Sequence, residues 1–198
     1  MMPFQFFCEM TLTACLTVWS PGPNNIMLLS TASKYGIRKN MKFMAGIWTG
    51  SLSLMILCGL LCRTLSGLIP GIAPVMKYVG ALYLLYLAYQ TFRRLPPGEK
   101  DSGGEPSYVS GIVLQLVNVK IIIYGLTMFS SFILPYVSAP MLLLGFAVYL
   151  MILGAIGNLI WAFAGNVLKQ FYGRHYKLMN VVMAGLLVWC AARVIGLL

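Results

Sequence analysis

Polar residues fall in clusters along this chain, and the intervals between the clusters are long and apolar. Six such intervals run Phe4–Thr31, Phe43–Cys62, Val75–Phe92, Tyr108–Leu134, Met141–Val167 and Leu178–Leu198. A hydrocarbon layer of about 30 Å is crossed by roughly 20 residues of helix. Lipid offers no partner for free backbone N–H and C=O groups, so intervals of this length are predicted to be helices. The ten-residue alternation that marks a membrane β-strand is not seen. The pattern predicts an all-α, polytopic membrane protein with six transmembrane helices.

Composition agrees. Hydrophobic residues make up 60% of the chain and charged residues 9%, where soluble domains carry about 25% charged. The mean hydropathy is +0.84. The first interval reads as a retained span rather than a cleaved signal peptide, since no Lys or Arg precedes Lys34 and the interval is too long for an h-region.

The net charge of +10 does not point to nucleic acid, because the basic residues flank the spans. Ten of them (Lys34, Arg38, Lys39, Lys42, Arg93, Arg94, Lys100, Lys169, Arg174 and Lys177) fall on one side, and Arg63, Lys77 and Arg193 on the other. The positive-inside rule puts the richer side in the cytoplasm of a bacterial inner membrane and both termini in the periplasm. The five cysteines, Cys8, Cys15, Cys58, Cys62 and Cys190, all lie within spans and form no CxxC. Small apolar filler is the expected role.

The longest polar stretch, 93–107, is rich in Pro, Gly and charge and reads as a cytoplasmic linker. It divides the chain into a first half, 1–92, and a second half, 108–198, of three spans each. An odd number of spans inverts the second half, so any kinship between the halves is an inverted repeat. Weak kinship is visible in SPGPNN at Ser20–Asn25 against QLVNVK at Gln115–Lys120. The pair Gly46 and Gly50 likewise corresponds to Gly154 and Gly157. Such small residues let helices approach closely, and Gly46/Gly50 or Gly67/Gly71 would also permit a homodimer.

Pro21-Gly22-Pro23 is the strongest local signal. Neither proline has an N–H, so the carbonyls of Thr17 and Trp19 lose their helical donors, and Pro21 disfavours helix at Ser20. A break at membrane depth is tolerated where it lines a polar cavity. The second half-helix then starts at Pro23, with Asn24 and Asn25 in its first turn, and its free N–H groups and dipole attract a carboxylate. The freed carbonyls are expected to receive an ammonium group, so a zwitterionic amino acid suits the site. The bland alternative is a proline kink without a ligand.

In the fourth span, Lys120 is costly at membrane depth, about 3 kcal/mol, and must face protein or water, where it is expected to bind a substrate's carboxylate or to lose a proton when unloaded; the alternative is that it snorkels to an interface. Asn118 and Gln115 share its polar strip, and a break there is a second, weaker expectation. Asn158 is either a cavity-lining amide or an inter-helix hydrogen bonder, and Trp161, on the same face, is expected to be the latter. Glu9 is the one acid within a span: a proton carrier, or a residue at the outer headgroup level. His175 reads as a solvated loop histidine. No metal cluster, cofactor motif or nucleophile–base pair is found, so neither a cofactor nor enzymatic activity is expected.

The opening run SPGPNNIMLLSTASKYGIRKNMKFMAGIWTG resembles the start of the LysE/RhtB family of amino-acid exporters, and the resemblance extends over essentially the whole chain. LQLVNVKIIIYGLT and GNLIWAFAG are similar, more narrowly, to a branch that exports cysteine and O-acetylserine. The family's Pro-Gly-Pro-Asn falls on Pro21, Gly22, Pro23 and Asn24. Its Asn-Pro-Lys falls on Asn118, Val119 and Lys120, with valine replacing proline. Where many members carry an acid in the second span, this chain has Ser51. The resemblance implies a secondary transporter, an antiporter driven by the proton gradient, that exports small polar amino acids. Homoserine, threonine or leucine are the alternative cargoes, and a membrane thiol oxidoreductase using Cys58 and Cys62, or a passive channel, the alternative classes.

Overall fold

The computed structural model describes residues 3–64, 69–93 and 106–195, and among these it is all-helical. Helix α1 (Phe4–Trp19) stops one residue before Ser20, and α2 (Pro23–Tyr35) starts on the proline that suits its first position. Gly36 ends α2 with φ 83°, a left-handed conformation that glycine adopts without penalty, and its N–H bonds the carbonyl of Ala32. Helix α3 (Ile37–Thr64) begins directly afterwards. The loop expected between the first two intervals is thus one residue long. The Thr31 hydroxyl and Asn40 amide bridge it, 2.7 Å apart, and Asn40 Nδ2 donates to the Leu28 carbonyl at 3.1 Å.

Helix α4 covers Ile69–Phe92, starting six residues before the predicted span. Most of the expected linker, together with Gly67, lies outside the described residues. Helix α5 (Tyr108–Leu116) opens on a Ser107/Ser110 capping box. It breaks at Val117–Asn118, and α6 (Val119–Thr127) leaves at 60° and continues as a π-helical stretch, Met128–Ile133. Helix α7 is Pro140–Val167 and α8 is Lys169–Ile195. The predicted last span began at Leu178, with a basic loop before it. Instead Lys169–Lys177 is helical, bent where His175 takes φ −127° and ψ 33°. His175 is exposed and stacks on Phe171, with ring centroids 4.6 Å apart.

Among the described residues, α3, α7 and α8 are each long and apolar enough to cross a membrane, and the bent α5–α6 pair makes a fourth candidate. The outer surface carries exposed Leu12, Leu16, Leu82, Phe163 and Leu178 among many other large apolar side chains. A soluble monomer rarely exposes so much; lipid covers it here.

Inside, α3 packs on α5, α2 on α7 and α4 on α8. One apolar cluster joins α2, α3, α4 and α8, and a second joins α1, α3, α6 and α7. Backbone meets backbone where α3 crosses α5: a Cβ on Gly46 would strike the Tyr108 carbonyl, and one on Gly111 the Phe43 carbonyl. Gly50 lies against Gln115 in the same crossing. The Gly46/Gly50 face is therefore covered within the chain, which corrects its reading as a surface for a second copy.

Candidate functional site

The two breaks face each other. Five carbonyls around the end of α1 lack helical donors or point into the gap, and side chains, one local and the others from α2, α6 and α7, supply partners to all five. The Ser20 hydroxyl donates to the Thr17 carbonyl at 2.8 Å. Trp161 Nε1, on α7, donates to the Trp19 carbonyl at 2.9 Å. Asn25 Nδ2 donates to the carbonyls of Val18 and Ser20, both at 2.9 Å. The Lys120 ammonium reaches the Ser20 carbonyl at 3.1 Å, the Ser20 hydroxyl at 2.9 Å and the Pro21 carbonyl at 3.4 Å. The Thr17 and Trp19 carbonyls expected to await a ligand's ammonium are thus already satisfied by the protein. The cation at the negative end of α1 is the chain's own lysine.

This arrangement depends on small neighbours. A Cβ on Gly22 would lie 2.9 Å from Lys120 Nζ. One on Gly157 would strike the Trp19 ring, whose Nε1 donates to the Leu153 carbonyl at 2.9 Å.

Beside the lysine runs a chain of buried amides. Asn118 Nδ2 donates to Asn24 Oδ1 at 2.9 Å, and Asn24 Nδ2 donates in turn to Gln115 Oε1. All three side chains are buried. A buried amide is costly without partners, so this chain ties the start of α2 to the break between α5 and α6. It also explains that break without a proline: Asn118 adopts φ −78° and ψ 92° while its side chain turns across to Asn24.

Two cavities adjoin these groups. The inner one, about 20 Å³, is lined by Gly22, Pro23, Asn24, Asn25, Gln115, Asn118, Lys120 and Asn158, together with Ser51, Tyr124 and Gly154. The outer one, about 680 Å³, lies between α1, α6 and α8 and is lined by Pro21, Lys120, Tyr124, Thr13, Thr17, Trp189 and Cys190 among others. Every sequence-predicted binding residue therefore lines one cavity or the other. Glu9 lines neither: its side chain is exposed on α1. Trp161 serves as an inter-helix donor, as expected of it.

Sequence reasoning missed Tyr124 and the α8 residues Trp189 and Cys190. Tyr124 lies four residues after Lys120, one helical turn on, so the period of α6 carried a signal for it. Nothing local in the sequence marks the α8 pair, which tertiary packing alone brings to the cavity. Among the described residues, no group of His, Cys, Asp and Glu could hold a metal ion.

Two broken helices facing each other across a polar cavity, inside an otherwise apolar helical protein, are the hallmark of a membrane translocator. The chain belongs to the LysE family: the family described as LysE type translocator matches residues 15–196. It is 36% identical over 189 residues to a protein of Klebsiella pneumoniae named cysteine/O-acetylserine efflux protein, covering 96% of this chain and 95% of that one. Proteins of the same name from Escherichia coli and Salmonella typhimurium are each 36% identical over 180 residues, covering 90% of this chain and 92% of theirs. No solved structure matches the chain.

Proposed function

We propose that this protein exports small polar amino acids, cysteine and O-acetylserine foremost, from the cytoplasm across the bacterial inner membrane. The observation that carries the reading is the meeting of the two broken helices. The first turn of α2, with Asn24 and Asn25, and the Lys120 ammonium of α6 line one cavity. A half-helix N-terminus and a lysine both favour a carboxylate. The surrounding amides of Gln115, Asn118 and Asn158, with the backbone turn at Pro21, Gly22 and Pro23, complete the binding site.

The transport cycle follows from the proposed architecture. Six spans cross the membrane: α1–α2 and α5–α6 as broken spans, and α3, α4, α7 and α8 whole. The chain then consists of two inverted three-helix halves, 1–92 and 108–198, joined by a cytoplasmic linker at 93–107, with both termini periplasmic. The packing supports this reading. Corresponding helices pair with each other, α4 with α8 and α3 with α7, and α3 lies on α5 and α6 as α7 lies on α1 and α2. Rocking of one half against the other would expose the cavity to each side in turn.

Export is driven by the proton gradient as an antiport. Glu9 is the acid we assign to that coupling. Exposed on α1 and outside both cavities, it would exchange protons with the outer aqueous face without touching substrate.

The test is efflux of labelled O-acetylserine and cysteine from cells overproducing the protein, with and without a protonophore. Efflux above the control that collapses with the proton gradient is the expected result. Efflux of neither compound overturns the substrate assignment, and a panel of homoserine, threonine and leucine then decides the cargo. Efflux that never exceeds equilibration would replace the exporter by a channel.

A further inference from the structure

Three of the residues that line the inner cavity carry a buried oxygen without a hydrogen-bond partner among the described residues: Asn25 Oδ1, Asn118 Oδ1 and the Tyr124 hydroxyl. Their side chains are 2%, 4% and 4% exposed. A buried polar atom left unpaired costs free energy, and one occupant of the cavity these three residues line would offer all of them a partner. The orientation of Asn25 is fixed, because its Nδ2 donates to two carbonyls and leaves the oxygen as the free atom. Asn118 likewise spends its Nδ2 on Asn24. Each break supplies one oxygen, Asn25 from the first turn of α2 and Asn118 from the cap position of α6.

The space of about 20 Å³ admits one group the size of a water molecule. An ammonium group has that size, and its three N–H donors match three oxygen acceptors. A water molecule also matches them when the Tyr124 hydroxyl donates to it, so it is the charge of the surroundings and the chemistry of an amino-acid cargo that favour the ammonium. Charge narrows the choice further. Lys120 lines the same cavity, and neither cavity lining contains an acid. A bare monovalent cation would meet that lysine uncompensated. A zwitterion brings its own carboxylate to the lysine and its ammonium to the oxygens.

Resting on the export reading above, we infer that Asn25 Oδ1, Asn118 Oδ1 and Tyr124 Oη form the subsite for the substrate's α-ammonium group. This fixes the substrate's orientation. The ammonium points into the inner cavity, and the carboxylate lies at Lys120 and the Gly22–Pro23 start of α2, which line both cavities. The side chain extends into the outer cavity of about 680 Å³, past Thr13, Thr17 and Cys190. The inner end therefore demands a free α-amino group, while the roomier outer end tolerates different side chains, including acylated ones.

The experiment uses the full chain in proteoliposomes under reducing conditions. Labelled cysteine transport is competed by unlabelled cysteine and by 3-mercaptopropionate, which lacks only the amino group. In the wild type the des-amino compound is expected to compete at least about ten-fold more weakly, the effect of one hydrogen bond to a charged group. Tyr124→Phe removes an unpartnered hydroxyl; it should raise the KM for cysteine and shrink that preference several-fold. The preference is a ratio within each variant, so it does not depend on how much protein folds. Equal competition by the two compounds in the wild type, or an unchanged preference in Tyr124→Phe, overturns the subsite even though cysteine is carried. If the panel names another cargo, the matching pair is used, for instance leucine against 4-methylpentanoate. If no amino acid competes, both readings fall. If replacing Na⁺ by choline raises the KM in the wild type but not in Tyr124→Phe, the oxygens bind a metal cation instead, and the inference is overturned.

Discussion

Lys120 Nζ lies 2.9 Å from Ser20 Oγ and 3.1 Å from the Ser20 carbonyl, so a lysine one hundred residues along the chain caps the broken end of α1. The contact satisfies a carbonyl that Pro21 and Gly22 expose, and it gives the lysine partners beside cavities whose linings contain no acid among the described residues. It also couples the two breaks: movement of α6 must either carry α1 with it or release the lysine.

Lys120→Met should therefore uncouple the site while leaving the helices intact. Hydrogen bonds to charged groups contribute about 1.5–3 kcal/mol each, so export should fall at least ten-fold at equal protein abundance in the membrane. Lys120→Arg should not restore it, because the larger guanidinium meets the narrow space at Gly22, where even an added Cβ would lie 3.2 Å from Lys120 Cδ. Export normalised to immunoblotted protein checks both variants.

Gly22→Ala approaches the same contact from the other side. Gly22 has φ −172°, an extended backbone that alanine adopts freely, so any effect is steric. The added methyl would displace the end of a flexible lysine rather than backbone. Export is expected to fall several-fold, less than in Lys120→Met, with the melting temperature in detergent unchanged. A wild-type rate would show that the Lys120–Ser20 contact is dispensable.

Gly46→Ala addresses stability instead. Its methyl would collide with the Tyr108 carbonyl, and backbone cannot move aside as a side chain can. Overpacking of this kind costs about 1–3 kcal/mol, and a lowered melting temperature of the purified protein is the expected result. Gly145→Ala is the control, since its methyl would meet nothing within 4 Å.

Removing both Cys58 and Cys62 tests the thiol-relay alternative. Both thiols lie along α6, facing the carbonyls of Ile122 at 4.0 Å and Leu126 at 3.8 Å, and neither lines the inner or the outer cavity. The double alanine variant should keep its export of labelled cysteine, with a modest loss of stability from the buried Cys58. Loss of transport without loss of protein would revive a redox role.

Much of the site was legible because its local chemistry is emphatic. Two prolines around a glycine cannot continue a helix, and a lysine inside an apolar span must find a polar partner; both statements hold wherever the chain folds. The break at Asn118 was only half legible, because no proline enforces it. It exists because the Asn118 side chain finds Asn24, a partner ninety-four positions away. The one-residue turn at Gly36 was hidden by the polar run around it, which reads as a loop although both flanking helices continue through it.

The sequence by itself determined that the chain is helical and lipid-embedded, where its first helix breaks, and which polar residues would have to be sheltered. Those follow from hydropathy, proline geometry and the cost of burying charge, all of which act locally. Only the tertiary structure decided who satisfies whom. It gave the freed carbonyls of α1 to Ser20, Trp161, Asn25 and Lys120, left Glu9 outside both cavities, and brought Tyr124, Trp189 and Cys190 to them. A carbonyl's need for a donor is written in the sequence, but which of many distant donors meets it depends on how the helices cross.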